Sequence, residues 1–136
     1  MQQPITVLIA DDNPLMRESL RIILAAQHYL HLVAEAANGE EAIELAENHQ
    51  PDIILMDINM SPVNGFEATR KILKKFPSMK IIGLSLHTEV SYCRNMLRLG
   101  ARGYVTKSSP YEEIIFAIRE VAAGKKYIDK RLDGSL

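Results

Sequence analysis

Asp11, Asp12, Asp57, Ser85 and Lys107 each stand at or just past the downstream end of an apolar run. Asp11 and Asp12 follow Ile5-Thr6-Val7-Leu8-Ile9-Ala10, and Asp57 closes Ile53-Ile54-Leu55-Met56. Ser85 follows Ile81-Ile82-Gly83-Leu84, and Lys107 follows Tyr104-Val105-Thr106. If these runs are parallel strands, their carboxyl ends share one edge of a sheet, where open α/β folds place their chemistry. Crowded carboxylates repel: at ~4 Å and an effective dielectric near 20, each like-charged pair costs roughly 4 kcal/mol. A cation in the cluster, or a proton held on one member, relieves this. Mg²⁺ suits the donor set, because it takes one or two carboxylates plus phosphate oxygens and keeps several waters. The loop Asp11-Asp12-Asn13-Pro14 holds no glycine-rich cradle for a nucleotide phosphate. Phosphate is therefore expected to arrive covalently, on a carboxylate beside the metal. Asp57, central and ending the most apolar run, is the expected acceptor, with Lys107 neutralising phosphoryl charge and Ser85 donating a hydrogen bond.

The elements that must position these groups alternate five times. Strands are expected at about 5–10, 31–36, 52–57, 80–86 and 102–106, rich in Val, Ile and Leu as when helices cover both faces. Asn13-Pro14 reads as a cap plus first-turn proline, with Met16, Leu20, Ile23 and Leu24 inward. Asn38 with Glu41 resembles a capping box for a helix running to Asn48. Phe66, Thr69, Leu73 and Phe76 share a face of the third helix, which Pro77 helps stop. Thr88 is the expected cap of the fourth, with Val90, Cys93 and Leu97 inward, ending near Gly100. Ser109-Pro110 with Glu112 opens the fifth, whose stripe is Tyr111, Ile114, Ile118 and Val121, ending at Gly124. Right-handed crossovers then make a doubly wound (βα)5 α/β fold, flavodoxin-like, of strand order 2-1-3-4-5. Its switch point falls between the first and third strands, flanked by Asp11, Asp12 and Asp57.

The bulk numbers narrow the class. A chain of 136 residues, 47% apolar and 24% charged, suffices for one domain with a real core. With a net charge of −1, nucleic acid or an anionic membrane would need a local patch. The first residues lack a signal-peptide pattern, and no apolar run reaches the ~18 residues needed to span a bilayer. One cysteine, Cys93, is compatible with a reducing compartment, so a cytoplasmic address is expected. The four histidines show no metal-ligand spacing. Lys125, Lys126, Lys130 and Arg131 read most simply as a solvated linker.

At this point the chain resembles the receiver domain of two-component response regulators over nearly its whole length. The matching pieces are Leu8-Ile9-Ala10-Asp11-Asp12, Leu55-Met56-Asp57-Ile58-Asn59-Met60, Asn64-Gly65, Leu84-Ser85 and Gly103-Tyr104-Val105-Thr106-Lys107. The resemblance implies that Asp57 accepts phosphate from a phosphohistidine of a sensor histidine kinase. It implies Mg²⁺ ligation by Asp12, Asp57 and the backbone carbonyl of Asn59, with Asp11 acting through water. Ser85 and Lys107 would bind the phosphoryl group, and Ser85 with Tyr104 would form the switch. Such a module is not a turnover enzyme; it catalyses only its own phosphorylation and dephosphorylation.

The stretch from Gly100 to Ser109, and Ala122-Ala123-Gly124 with Lys125-Lys126-Tyr127-Ile128, resemble the LuxR/FixJ (NarL-like) subgroup. That subgroup carries a C-terminal DNA-binding helix-turn-helix, for which residues 125–136 leave no room. The expected division is a receiver at 1–124 and the start of a linker at 125–136, cut from a longer transcription regulator. A homodimer on phosphorylation and no membrane contact are the family expectations. A free-standing receiver, a phosphorylation-independent pseudo-receiver and a phosphoaspartate phosphatase are the alternatives. The sequence departs from the family pattern at Ser108, where proline usually follows the lysine in a cis peptide, at Pro62, one position late, and at bulky Leu86. Leu86, Asn59 and His87 are expected around the pocket mouth, where they would set phosphoryl lifetime.

Overall fold

The computed structural model describes residues 3–86 and 90–134. Its strands are β1 (Ile5–Ala10), β2 (Leu30–Ala36), β3 (Ile53–Asp57), β4 (Lys80–Ser85), β5 (Gly103–Thr106) and β6 (Tyr127–Ile128). Its helices are α1 (Pro14–Ala25), α2 (Gly39–His49), α3 (Gly65–Lys75), α4 (Val90–Leu99), α5 (Tyr111–Ala122) and the single turn α6 (Lys130–Asp133). All neighbouring strands pair in parallel, in the order β2-β1-β3-β4-β5-β6. The expected order is thus observed, with one strand added at the β5 edge.

Strand residues alternate between two cores, as the twofold period of a strand requires. Leu8, Ile54, Met56, Ile81 and Tyr104 pack on the side of α2, α3 and α4, with Ala42, Ala68, Ile72 and Met96. Val7, Ile9, Leu55, Leu84 and Val105 pack on the side of α1 and α5, with Leu20, Leu24, Ile114 and Ile118. Covering both faces explains why the strands read as continuous apolar runs.

The caps follow the sequence closely. Asn13 accepts from the N–H groups of Leu15 and Met16 at 2.9 and 3.3 Å, and Pro14 opens α1. Asn38 accepts from Glu41 N–H at 2.9 Å, while the Glu41 carboxylate reaches back to Ala37 N–H at 2.7 Å, one residue earlier than a capping box would. Ser109 does not cap α5, whose N-cap Pro110 makes no side-chain bond. Tyr111 is exposed rather than inward, and Ile115 takes the buried place. In α3 Thr69 is buried as expected, together with Gly65, Ala68 and Ile72, while Phe66, Leu73 and Phe76 are only half-buried. In α4 Cys93 and Met96 are buried, with Val90 and Leu97 half-buried. Thr88, the expected α4 cap, lies outside the described residues, as does His87.

The largest difference from expectation follows Gly124, whose φ of +91° turns the chain out of α5. The residues read as a solvated linker instead pair with β5: Tyr127 N–H donates to Arg102 O at 3.1 Å and Asp129 N–H to Tyr104 O at 2.8 Å. Leu132 is buried in the cluster that holds Cys93, Met96 and Tyr104. Lys125, Lys126 and Lys130 are indeed exposed, but Arg131 is bound to a buried carboxylate. Leu132→Ala should therefore cost about 2–4 kcal/mol in chemical denaturation, the range for a truncated core leucine. A change within 0.5 kcal/mol would be the value for an exposed site. No helix among the described residues is long and apolar enough to cross a membrane.

Candidate functional site: an acidic pocket with a lysine

The β1 and β3 ends are adjacent because Ala10 pairs with Met56, so the residues that follow meet at the switch point. Asp11 is fully buried. Its Oδ1 accepts from Asn13 N–H at 2.9 Å, and its carbonyl accepts from the Arg17 guanidinium at 2.6 Å. Asp57 is buried at the last position of β3, its Oδ1 accepting from Asn59 N–H at 3.2 Å. Asp12 is exposed beside them. Asp11, Asp12 and Asp57 can each offer one oxygen such that all three lie within 4.8 Å of one another.

Lys107 closes the pocket from β5. Its N–H donates to Ser85 O at 2.8 Å, which sets the turn at the sheet edge. Its ammonium lies 2.8 Å from Asp11 Oδ2 and 3.3 Å from Asp57 Oδ2. These two oxygens are buried, and the Lys107 ammonium is the cation that neutralises them. Burial, and then the charge of Asp11, push the Asp57 carboxyl up to about 6, against the opposing pull of Lys107 and the Asn59 amide. Three carboxylates against one ammonium leave the cluster short of positive charge. Two buried carboxylates that share one ammonium, beside a third, exposed carboxylate, make a donor set that fits a hard divalent cation.

Ser85 and Tyr104 are both fully buried. Ser85 pairs in register with Thr106, and Asp57 with Leu84, which brings the serine to the same edge. Tyr104 pairs with Gly83, and a Cβ at 83 would lie 3.1 Å from the Tyr104 ring. The missing side chain is what admits the inward ring. Asn59 and Asp12 line a groove of about 410 Å³ with Met60, Asn64, Phe66 and Tyr92. Leu86 projects into solvent, 72% exposed. Among the described residues the only cis peptide is Ser61–Pro62, so the Lys107–Ser108 bond is trans, as the absence of proline there predicts.

Two residues of the surroundings were not foreseen. Asp129 is fully buried and, with Arg131, binds Thr106 and Ser109 on either side of Lys107. The signal was present: Asp129 follows the apolar pair Tyr127-Ile128, as Asp11 and Asp57 follow their own runs. A two-residue run is too short to announce a strand.

Comparison with known proteins agrees with this arrangement. Residues 7–119 match the family model described as the response regulator receiver domain. The chain is 41% identical over 135 residues to the transcriptional regulatory protein DegU of Brevibacillus brevis, covering 99% of this chain and 57% of that protein. It is 39% identical over 131 residues to the oxygen regulatory protein NreC of Staphylococcus haemolyticus, covering 96% of this chain and 60% of that one. The chain thus spans less than two thirds of the length of these relatives. The crystal structure of a two-component response regulator of the LuxR family from Aurantimonas sp. SI85-9A1 superposes with a TM-score of 0.93 at 31% identity, covering 97% of this chain and 94% of that one. A matched family model across most of the chain, the six-stranded parallel sheet and the pocket at its switch point converge: the chain belongs to the response regulator receiver domains of two-component systems, of the LuxR type.

Proposed function

We propose that Asp57 is the phosphoacceptor of a two-component phosphorelay and that its phosphorylation is the switch. The observation that carries this is the Lys107 ammonium, 3.3 Å from Asp57 Oδ2 and 2.8 Å from Asp11 Oδ2, in a pocket with too much negative charge. An Asp57 oxygen attacks the phosphorus of a sensor kinase phosphohistidine. The O–P bond forms, the P–N bond breaks, and the imidazole leaves with its electron pair. Lys107 neutralises charge on the transferred group, and Ser85 donates to one of its oxygens. Asp12, Asp57 and the Asn59 carbonyl, with Asp11 through water, would hold Mg²⁺, which when bound supplies charge compensation for the phosphoryl oxygens. Tyr104, already inward over Gly83, and Ser85 carry the change of state outward.

In this reading residues 1–124 are the receiver, and 125–136 begin the connection to an output domain. The full protein would regulate transcription from the cytoplasm through a DNA-binding helix-turn-helix beyond the present chain, with homodimer formation on phosphorylation. The relatives support this reading by their names as regulators and by their greater length.

The test is intact-mass measurement after incubation with acetyl phosphate and Mg²⁺. A single phosphoryl adduct is expected on the native chain and none on Asp57→Asn. An adduct on both would assign the acceptor elsewhere; its absence from both would favour a receiver that works without phosphorylation.

A further inference from the structure

Lys107 occupies a turn whose flanking residues are held from outside the receiver's own five strands. On its upstream side Thr106 donates to Asp129 Oδ2 through both N–H and Oγ1, at 3.3 and 3.1 Å. On its downstream side Ser109 Oγ donates to the same oxygen at 3.1 Å. Arg131 ties the assembly from above. Its Nε donates to Asp129 Oδ1 at 3.1 Å and its Nη2 to Asp129 Oδ2 at 2.8 Å. Nη2 also donates to Ser109 Oγ at 2.9 Å and to Thr106 Oγ1, while Nη1 reaches Ser108 Oγ at 3.4 Å.

A fully buried carboxylate is costly to maintain unless its oxygens are satisfied, and here every donor comes from this turn or from Arg131. Burial alone would push the Asp129 carboxyl up, but the Arg131 side chain and amide and the Thr106 amide hold it well below the usual carboxylate range. The clamped carboxylate is therefore a fixed anion under the turn. The backbone also ties the turn, through Lys107 N–H to Ser85 O at 2.8 Å and Ser109 N–H to Thr106 O at 3.1 Å, but Asp129 and Arg131 are what bind its side chains at Thr106, Ser108 and Ser109.

We infer that Asp129 and Arg131, carried on the segment after α5, are positioning residues that hold the turn of residues 106–109 and so aim the Lys107 ammonium at Asp11 and Asp57. This rests on the reading of Asp57 as phosphoacceptor. Displacing a charge by an ångström in such a site lowers rate rather than binding, by roughly ten- to a hundredfold. The segment's strand pairing, to Gly103 and Tyr104, and the packing of Leu132 with Cys93, Met96 and Tyr104 keep the clamp in place.

The experiment measures the rate of Asp57 labelling by acetyl phosphate at saturating Mg²⁺, at a temperature where circular dichroism shows each variant folded. Asp129→Ala is expected to slow labelling roughly ten- to a hundredfold. Asp129→Asn, which keeps the volume and one acceptor oxygen, should fall between it and the native chain. Leu132→Ala loosens the segment that carries the clamp but removes no side-chain bond to the turn, so its loss should be clearly smaller than that of Asp129→Ala. In a Lys107→Ala background, Asp129→Ala should produce no further loss, because its effect passes through the lysine. An equal fractional loss in both backgrounds would overturn the inference, as would a Leu132→Ala loss matching that of Asp129→Ala. A labelled native chain with unslowed Asp129→Ala overturns the inference alone. A native chain that takes no label overturns the switch reading with it.

Discussion

Asp57→Asn should be more stable than the native chain at pH 7.5 in the absence of divalent cations, although it abolishes the proposed chemistry. The Asp57 carboxyl is raised from an ordinary 3.8 to about 6 in the folded protein, by burial first and the Asp11 charge second. A folded acid with a raised pKa binds its proton more tightly than the unfolded chain does. The contribution of this one group is therefore full below about pH 3.8, falls as pH rises toward 6, and remains lost above it. A shift of about two units corresponds to about 3 kcal/mol of reduced stability, to order of magnitude. Asparagine keeps the shape and removes the charge, and Lys107 retains its 2.8 Å contact with Asp11. The melting temperature should rise by roughly 5–10 °C at pH 7.5. The gap should narrow markedly by pH 4.5, where the native carboxyl is protonated. Mg²⁺ should stabilise the native chain more than the variant, because binding to the folded state adds stability by mass action. A variant less stable than the native chain at pH 7.5, or a gap independent of pH, would contradict this electrostatic account.

Gly65→Ala should produce the largest loss of stability of any single methyl addition at the pocket. A Cβ at position 65 would sit 2.2 Å from the Asp57 carbonyl oxygen and 2.7 Å from the Ile58 Cα. These are backbone atoms, so no side-chain rotation gives relief. The Gly65 N–H also donates to Ile58 O at 2.8 Å, which draws the start of α3 against the loop leaving β3. Relief requires moving α3 away from that loop, and the loop carries Asn59 and the Asp57 backbone. A cost of about 3–5 kcal/mol is expected in urea denaturation, at the upper end for single substitutions. Labelling of Asp57 should fall at least roughly tenfold even where the variant is folded, through misplaced reacting groups. Gly134→Ala is the control, since a Cβ there meets nothing within 4 Å. It should change stability by less than about 0.5 kcal/mol.

Most of the site was legible because its residues punctuate apolar runs. Asp11, Asp57, Ser85 and Lys107 end strands that period and composition identify, and the crossover rule leaves little freedom in where those ends meet. The Asn13 and Asn38 caps were legible for the same local reason. What escaped notice depended on close approach instead of hydrophobicity. In α3 Thr69 is inward as expected, but the aromatic Phe66 and Phe76 outrank Ala68 on any apolar scale and are only half-buried, while Ala68 is fully buried. Gly65 brings that end of the helix too near β3 for large side chains. Tyr111 sits at the correct helical spacing, but α5 turns Ile115 inward and leaves the ring 52% exposed. β6 is two residues long, and its strand character comes from the β5 edge waiting for it, which no local pattern records.

That borrowed edge has a practical meaning for anyone trimming the polypeptide. A fragment ending at Gly124 would leave the Arg102 and Tyr104 carbonyls bare along the outer rim of the sheet, where Tyr127 and Asp129 now cover them. Bare rims recruit strands from other molecules, so such a fragment would tend to precipitate or swap segments between copies. Expression boundaries set beyond Leu132 would spare the protein that fate.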